Sequence, residues 1–378
     1  MAQWEFKARY HLTASDSQTM TIAELLAMGD DADRQNFEQL GLGYIDTWGT
    51  DSFRDAVAST YDICTSNDVL TFAGAEEAMF WVFQELLGPE DHAVITAPNY
   101  QSMESVPLAT GASVTGVALD PNDAWRLDLD AVRAAFRPNT RVVAVNFPNN
   151  PTGALPPVDT FTQLVKLCDE HNTWLFSDEV YRGVERDPAR TLPQAADLSP
   201  RAISLNVMSK AYGMPGLRVG WLTCRDHALL SQLERRKHYT SICNAAPSEM
   251  LATIALRNAE AVRARNRSIV ETNLEIFDGF FERYGDSFDW YHPDGGSVVF
   301  PRYNGADGAD EFCRRAIEEE GVLLLPGSIY RSDVASVPTD RFRIGLGRLH
   351  AEPALDALGR VVKSSPSGTF VFDFPDVV

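Results

Sequence analysis

Between residues 51 and 223, short apolar runs alternate with stretches in which apolar positions recur every three or four residues. The runs at 93–96, 114–118, 141–147, 173–176, 202–206 and 219–223 are continuous rather than alternating. That predicts strands covered on both faces, because a strand with one face in water alternates instead. Helical spacing at 52–61 and 75–87 predicts helices that face a core. Strands alternating with helices make a mostly parallel sheet packed by helices, an α/β domain. Residues 1–43 are polar and mixed, with 21–27 the one clear helical segment. After about Cys243 the pattern becomes a long helical stretch, 246–284, followed by candidate strands at 297–300, 322–325 and 341–345, a smaller α+β arrangement. The predicted division is an N-terminal segment 1–43, a large domain 44–245 and a small C-terminal domain 246–378. The tail from Ser364 begins like a linker and ends apolar, with no role assigned.

With 378 residues, 44% of them hydrophobic, the chain is long enough for two cores. Its net charge of −20 comes from 53 acidic against 33 basic residues without a basic run, which argues against nucleic acid and anionic membrane as partners and predicts a solvated acidic surface. Five cysteines without a CxxC pair predict reduced, mostly buried thiols. No apolar run approaches the roughly 18 residues a membrane helix needs. The first residues lack a basic region followed by an apolar one, so a cytoplasmic protein is expected. Seven histidines without an HxxxH pair argue against a zinc hydrolase, and no metal site is expected.

Three motifs carry chemistry: Asn149-Asn-Pro-Thr-Gly153, Ser177-Asp-Glu-Val-Tyr181 and Ser204-Leu-Asn-Val-Met-Ser-Lys-Ala-Tyr-Gly-Met-Pro-Gly-Leu-Arg-Val-Gly-Trp221. The first alone is only a turn signal, and a lone lysine is most often on the surface. In this order the motifs supply an amine for an imine, a carboxylate for a pyridine nitrogen, and donors for a ring oxygen and a phosphate. The chain has only five lysines, so Lys210 falls in this setting less readily by chance. Around Gly74 a strand gives way to a helix whose free N–H groups form a candidate phosphate cradle at Ala75 and Glu76.

From about Tyr44 to about Arg343 these motifs resemble the aminotransferase class I/II family, the fold-type I enzymes that use pyridoxal 5'-phosphate (PLP). The resemblance implies a large domain with a seven-stranded type of sheet and an N-terminal segment at the active-site entrance. It implies that Lys210 carries PLP as a Schiff base and then moves protons. It pairs Asp178 with the ring nitrogen and Tyr181 and Asn150 with the ring oxygen. Gly74, Ala75, Glu76, Ser209 and Arg218 would hold the phosphate, and Tyr100 would stack on the ring, although a lone tyrosine is more often core. Tyr44 would reach the site of a neighbouring subunit, so a homodimer with shared sites is expected. Arg343 would grip a substrate carboxylate through two parallel N–H groups, whereas Arg341 and Arg348 are read as surface salt bridges.

Two departures stand out. Val207 occupies the position three before the lysine where the family usually has a hydroxyl. The segment Tyr10-His-Leu-Thr-Ala-Ser-Asp-Ser17 replaces a glycine-containing stretch that touches substrate in many relatives. Together with residues 99–102 and 237–249 it resembles the branch containing capreomycidine synthase, which cyclises a hydroxylated arginine. Asp16 is therefore expected to favour a cationic side chain, against the plainer reading of a cap or turn residue. Two reactions share the constellation: amino transfer between an amino acid and a 2-oxo acid, and elimination, replacement or cyclisation at Cβ or Cγ. A PLP-binding transcriptional regulator is argued against by the short, acidic stretch before Tyr44, which has no room for a DNA-binding module.

Overall fold

The computed structural model describes residues 4–5 and 7–364, so the tail beyond Ser364 lies outside the described residues. Its centre is a seven-stranded sheet of β1 (Val69–Phe72), β2 (His92–Ala97), β3 (Ser113–Ala118), β4 (Thr140–Asn146), β5 (Trp174–Asp178), β6 (Ala202–Val207) and β7 (Gly220–Thr223). The spatial order is β1-β7-β6-β5-β4-β2-β3. Only β7 runs antiparallel to its neighbours; the other pairs are parallel. Every residue of β2, β5 and β6 is buried, as continuous apolar runs require, while the edge strand β3 is largely uncovered. Parallel pairing with short βα turns brings the C-terminal ends of β4, β5 and β6 to one side of the sheet, where open α/β sheets place their sites.

The helical run expected over 246–284 is two helices, α2 (Ala246–Arg257) and α3 (Ala259–Arg283), with α1 (Ala75–Leu86) far upstream. Asn258 makes the break, with φ −111° and ψ 25°, and its side-chain amide donates to the carbonyl of Ile254 at 2.9 Å. Such local side-chain bonds compete with the helix ladder. A second helix in the N-terminal segment, Asp31–Glu38, escaped the pattern because it buries only Asp33 and so has no apolar stripe. A reciprocal cap between Asp30 and Asp33 marks its start.

The C-terminal part is stitched to the N-terminus. Strand Tyr10–His11 pairs in parallel with Val322–Leu323. The expected single strand over 322–325 is thereby divided, since Leu325–Pro326 pairs instead with Phe342–Gly345, which also receives Val298–Val299. Residues 12–18 then run as a strap over that last strand. Gly345 N–H donates to Leu12 at 2.8 Å and Gln18 N–H to Gly347 at 2.6 Å. A Cβ on Gly345 or Gly347 would collide with the backbone of Ala14 or Asp16, so only glycine allows this approach. One buried cluster joins α1 and α2 to the sheet, and another joins Leu12 to α3 and the C-terminal strands. No described helix is long and apolar enough to cross a membrane.

Candidate active site

A cavity of about 480 Å³ opens at the C-terminal ends of β4, β5 and β6, beside the N-terminus of α1. Asn146 closes β4 and Asp178 closes β5. The Asn146 amide donates to the Asp178 carbonyl at 3.0 Å, and its Oδ1 accepts the Asn150 N–H at 2.7 Å. One side chain thus fixes the Asn-Asn-Pro-Thr-Gly turn against the strand that presents Asp178. The Asp178 carboxylate is 5% exposed, accepts the Val180 N–H at 3.2 Å and is pushed up by burial to about 7.

Lys210 lies just past β6 and points its amine into the cavity. Burial, and then the Arg343 guanidinium, bring it down to about 8. Its amine donates to the Ser15 hydroxyl at 2.7 Å. Tyr181, buried and held well above the usual phenol range by that burial, donates to the Ser15 carbonyl at 2.9 Å. Arg343 donates to Asn150 Oδ1 at 2.9 Å and to the Thr13 carbonyl at 2.6 Å, while its buried Nε has no hydrogen-bond partner among the described residues. Tyr330 donates to the same Asn150 oxygen at 3.2 Å.

The anion end is built from glycine. Gly74 has φ +98°, and a Cβ there would collide with the Arg218 guanidinium. Behind the turn, a Cβ on Gly220 would lie 2.7 Å from the Gly74 carbonyl carbon, so β7 also needs glycine to approach. Arg218 adopts the left-handed conformation at φ +53° and reaches toward the Ser209 hydroxyl at 3.5 Å. Ala75 and Glu76 open α1 on the same wall, and the Glu76 carboxylate bonds to the Ser102 hydroxyl. Helix N–H groups, a guanidinium and a hydroxyl are the donors a phosphate takes. The amine and the buried carboxylate suit the aldehyde and ring nitrogen of the same cofactor. These residues fit PLP.

Of the expected site residues, Gly74 forms the turn, and Ala75, Glu76, Tyr100, Asn150, Asp178, Tyr181, Ser209, Lys210, Arg218 and Arg343 line the cavity. Two are elsewhere. Asp16 is absent from the wall and its carboxylate pairs with Arg348 at 2.8 Å, which also gives Arg348 the ion pair expected of it. Tyr44 is 87% exposed and lines a separate hollow with residues 42–43, 241 and 243–247. Sequence reasoning missed Ser15, Asn146, Tyr330 and Glu5, all on the cavity wall. Asn146 carried a signal, since it is a polar residue ending an apolar strand; Ser15 and Tyr330 arrive from distant chain and carried none.

The sequence model of the family described as aminotransferase class I and II matches residues 11–358. The chain belongs to this family. It is a PLP-dependent enzyme of the aminotransferase class. Among its relatives is the capreomycidine synthase of Streptomyces vinaceus, 30% identical over 342 residues that cover 90% of this chain and 86% of that one. Another is the arginine–pyruvate transaminase AruH of Pseudomonas aeruginosa, 32% identical over 333 residues, 84% of this chain and 81% of that one. A PLP-dependent aminotransferase from Streptococcus suis superimposes with a TM-score of 0.89 at 26% identity, covering 97% of both chains.

Proposed function

We propose that this aminotransferase moves the amino group of an amino acid with a cationic side chain to a 2-oxo acid, with Lys210 as the residue that holds PLP. The observation that carries the reading is one cavity that joins an amine, a buried carboxylate and a guanidinium with an unpartnered buried Nε. Bound PLP supplies an electron sink that lets a bond at the substrate Cα break heterolytically. The protein residues do the rest. Asp178 holds the proton of the ring nitrogen, and Tyr181 with Asn150 donates to the ring oxygen. Arg218, Ser209 and the N–H groups of Ala75 and Glu76 hold the phosphate, with Tyr100 against the ring. Arg343 would take the substrate carboxylate and so aim Cα at Lys210, whose amine, near its midpoint at about 8, would take the proton from Cα and pass it to the cofactor carbon C4′.

For the side chain, the similarity to an arginine–pyruvate transaminase supports a cationic group. Its counter-charge on the wall is Glu5, which has no ion-pair or hydrogen-bond partner among the described residues, rather than Asp16. The exposed Leu42 and Tyr44 support a homodimer in which Tyr44 completes the neighbouring site. The first buried cluster takes in Leu251 to Val262 and the second begins at Val270, which supports a division within α3 rather than at about residue 245. The relative that is a capreomycidine synthase supports a second reading, elimination or cyclisation of an arginine derivative on the same residues. A panel of amino acids with the purified enzyme separates the two by product mass. A 2-oxo acid from arginine, formed together with aminated cofactor, is expected; a dehydrated or cyclised amino acid with the cofactor unchanged would establish the second reading.

A further inference from the structure

The residue nearest to Lys210 in function comes from the strap, 195 positions upstream. We propose that the Ser15 hydroxyl is a positioning residue for the reaction: it holds the free amine of Lys210 in the orientation in which that amine exchanges a proton with the substrate Cα. The proposal rests on the reading of Lys210 given above.

Three features make Ser15 a built element. The hydrogen bond that the Lys210 amine makes is to Ser15 Oγ, at 2.7 Å. The Ser15 carbonyl is held at the same time by two hydroxyls, Tyr181 at 2.9 Å and Ser297 at 3.0 Å. The flanking strap is fixed independently, by Arg343 on the Thr13 carbonyl, by Arg348 on Asp16, and by the close approach at Gly345 and Gly347. With its backbone immobilised on both sides, Ser15 has one torsion left, which sets where its oxygen sits.

A hydroxyl suits this position because it accepts from an ammonium and can also donate to the lone pair of a neutral amine. It can therefore accept from the charged amine and donate to the lone pair of the neutral one, and neither a carbonyl nor a carboxylate can make that second bond. Without the hydroxyl the four-carbon lysine stem would sample other rotamers, and small misplacements of a reacting group lower rates steeply.

The test uses holoenzyme carrying Ser15→Ala or Ser15→Thr. The alanine variant is expected to lose roughly ten-fold or more in kcat, the range one charge-assisted hydrogen bond spans, with KM for the amino donor nearly unchanged and a larger isotope effect on a deuterated Cα. A second readout needs no turnover. In protein freed of cofactor, the pH profile of Lys210 acylation, read by peptide mass, should shift to lower pH in Ser15→Ala, because the lost acceptor favoured the ammonium. Ser15→Thr should restore both. Unchanged kcat and labelling in Ser15→Ala, or a threonine variant as impaired as alanine, would overturn the proposal. Borohydride trapping in the same preparations separates the two failures: cofactor on another lysine removes the assignment of Lys210, and the Ser15 role with it, whereas cofactor on Lys210 with unchanged profiles removes Ser15 alone.

Discussion

Two groups of residues wall the cavity, and they are made in different ways. One is the rim of the parallel sheet, where Asn146, Asp178 and Val207 end β4, β5 and β6 and the turns that follow deliver Asn150, Tyr181 and Lys210. The other is assembled from distant chain: the strap 12–18, Tyr330 and Arg343, tied together by bonds that span from 166 to 330 positions in sequence. The rim puts chemistry where strand ends must be, so its residues follow from local pattern. The strap wall depends on tertiary closeness, with glycines at 345 and 347 that only make sense once the strap lies on them. On the proposed reading the first wall carries the cofactor chemistry, while the second sets substrate choice and, through Ser15, the position of the Lys210 amine.

The largest effect is expected on the rim. Asp178→Asn should lower turnover by orders of magnitude while the fold survives, measured as single-turnover proton abstraction. The same change should stabilise cofactor-free protein. The folded carboxyl is pushed up to about 7, so the unfavourable contribution of its charge is absent at low pH, grows above the unfolded pKa near 4 and is complete above about 7. Asparagine removes it, so the rise in Tm should be present at pH 8 and shrink towards pH 5. A Tm difference that is the same at both pH values would mean that the carboxylate is not desolvated.

Next is Gly74→Ala. It places a Cβ against Arg218 at a backbone angle of +98°, and roughly ten-fold or greater loss in PLP affinity is expected, with arginine and neutral substrates affected alike once the enzyme is saturated. Fluorescence titration of cofactor-free protein checks it. An unchanged Kd would place the phosphate elsewhere.

The smallest effects belong to Glu5 and Asp16 and sharpen the contrast most. Glu5→Gln should reduce kcat/KM for arginine by about ten-fold, within the roughly 1–3 kcal/mol of a charged hydrogen bond, and leave a neutral amino acid unaffected. Asp16→Ala should instead reduce both substrates equally, because it loosens the strap by freeing Arg348. An arginine-selective loss in Asp16→Ala, with none in Glu5→Gln, would restore the assignment drawn from sequence and remove Glu5.

What was legible in the sequence follows the same line. Apolar runs located the strands because every position of β2, β5 and β6 is buried, and three linked motifs located the rim. β1 was visible only at its end, where Gly74 follows Phe72. The split of the long helix at Asn258 was hidden because asparagine within helical spacing does not announce that its side chain will bond Ile254. Asp16 was placed near substrate from its segment, and the segment is indeed at the cavity; the side chain at its wall is Ser15, one residue earlier. The chain bends at Asp16, and no local pattern says which of the two neighbours faces inward.

The most direct test of the central claim, that the rim holds PLP through Lys210, is reduction of the holoenzyme with borohydride followed by peptide mapping. The account predicts a phosphopyridoxyl mass on the peptide that contains Lys210, and none in Lys210→Ala, which should also lose the visible absorbance and turnover. The adduct on Lys7, Lys166, Lys237 or Lys363, or its persistence in Lys210→Ala, would contradict it.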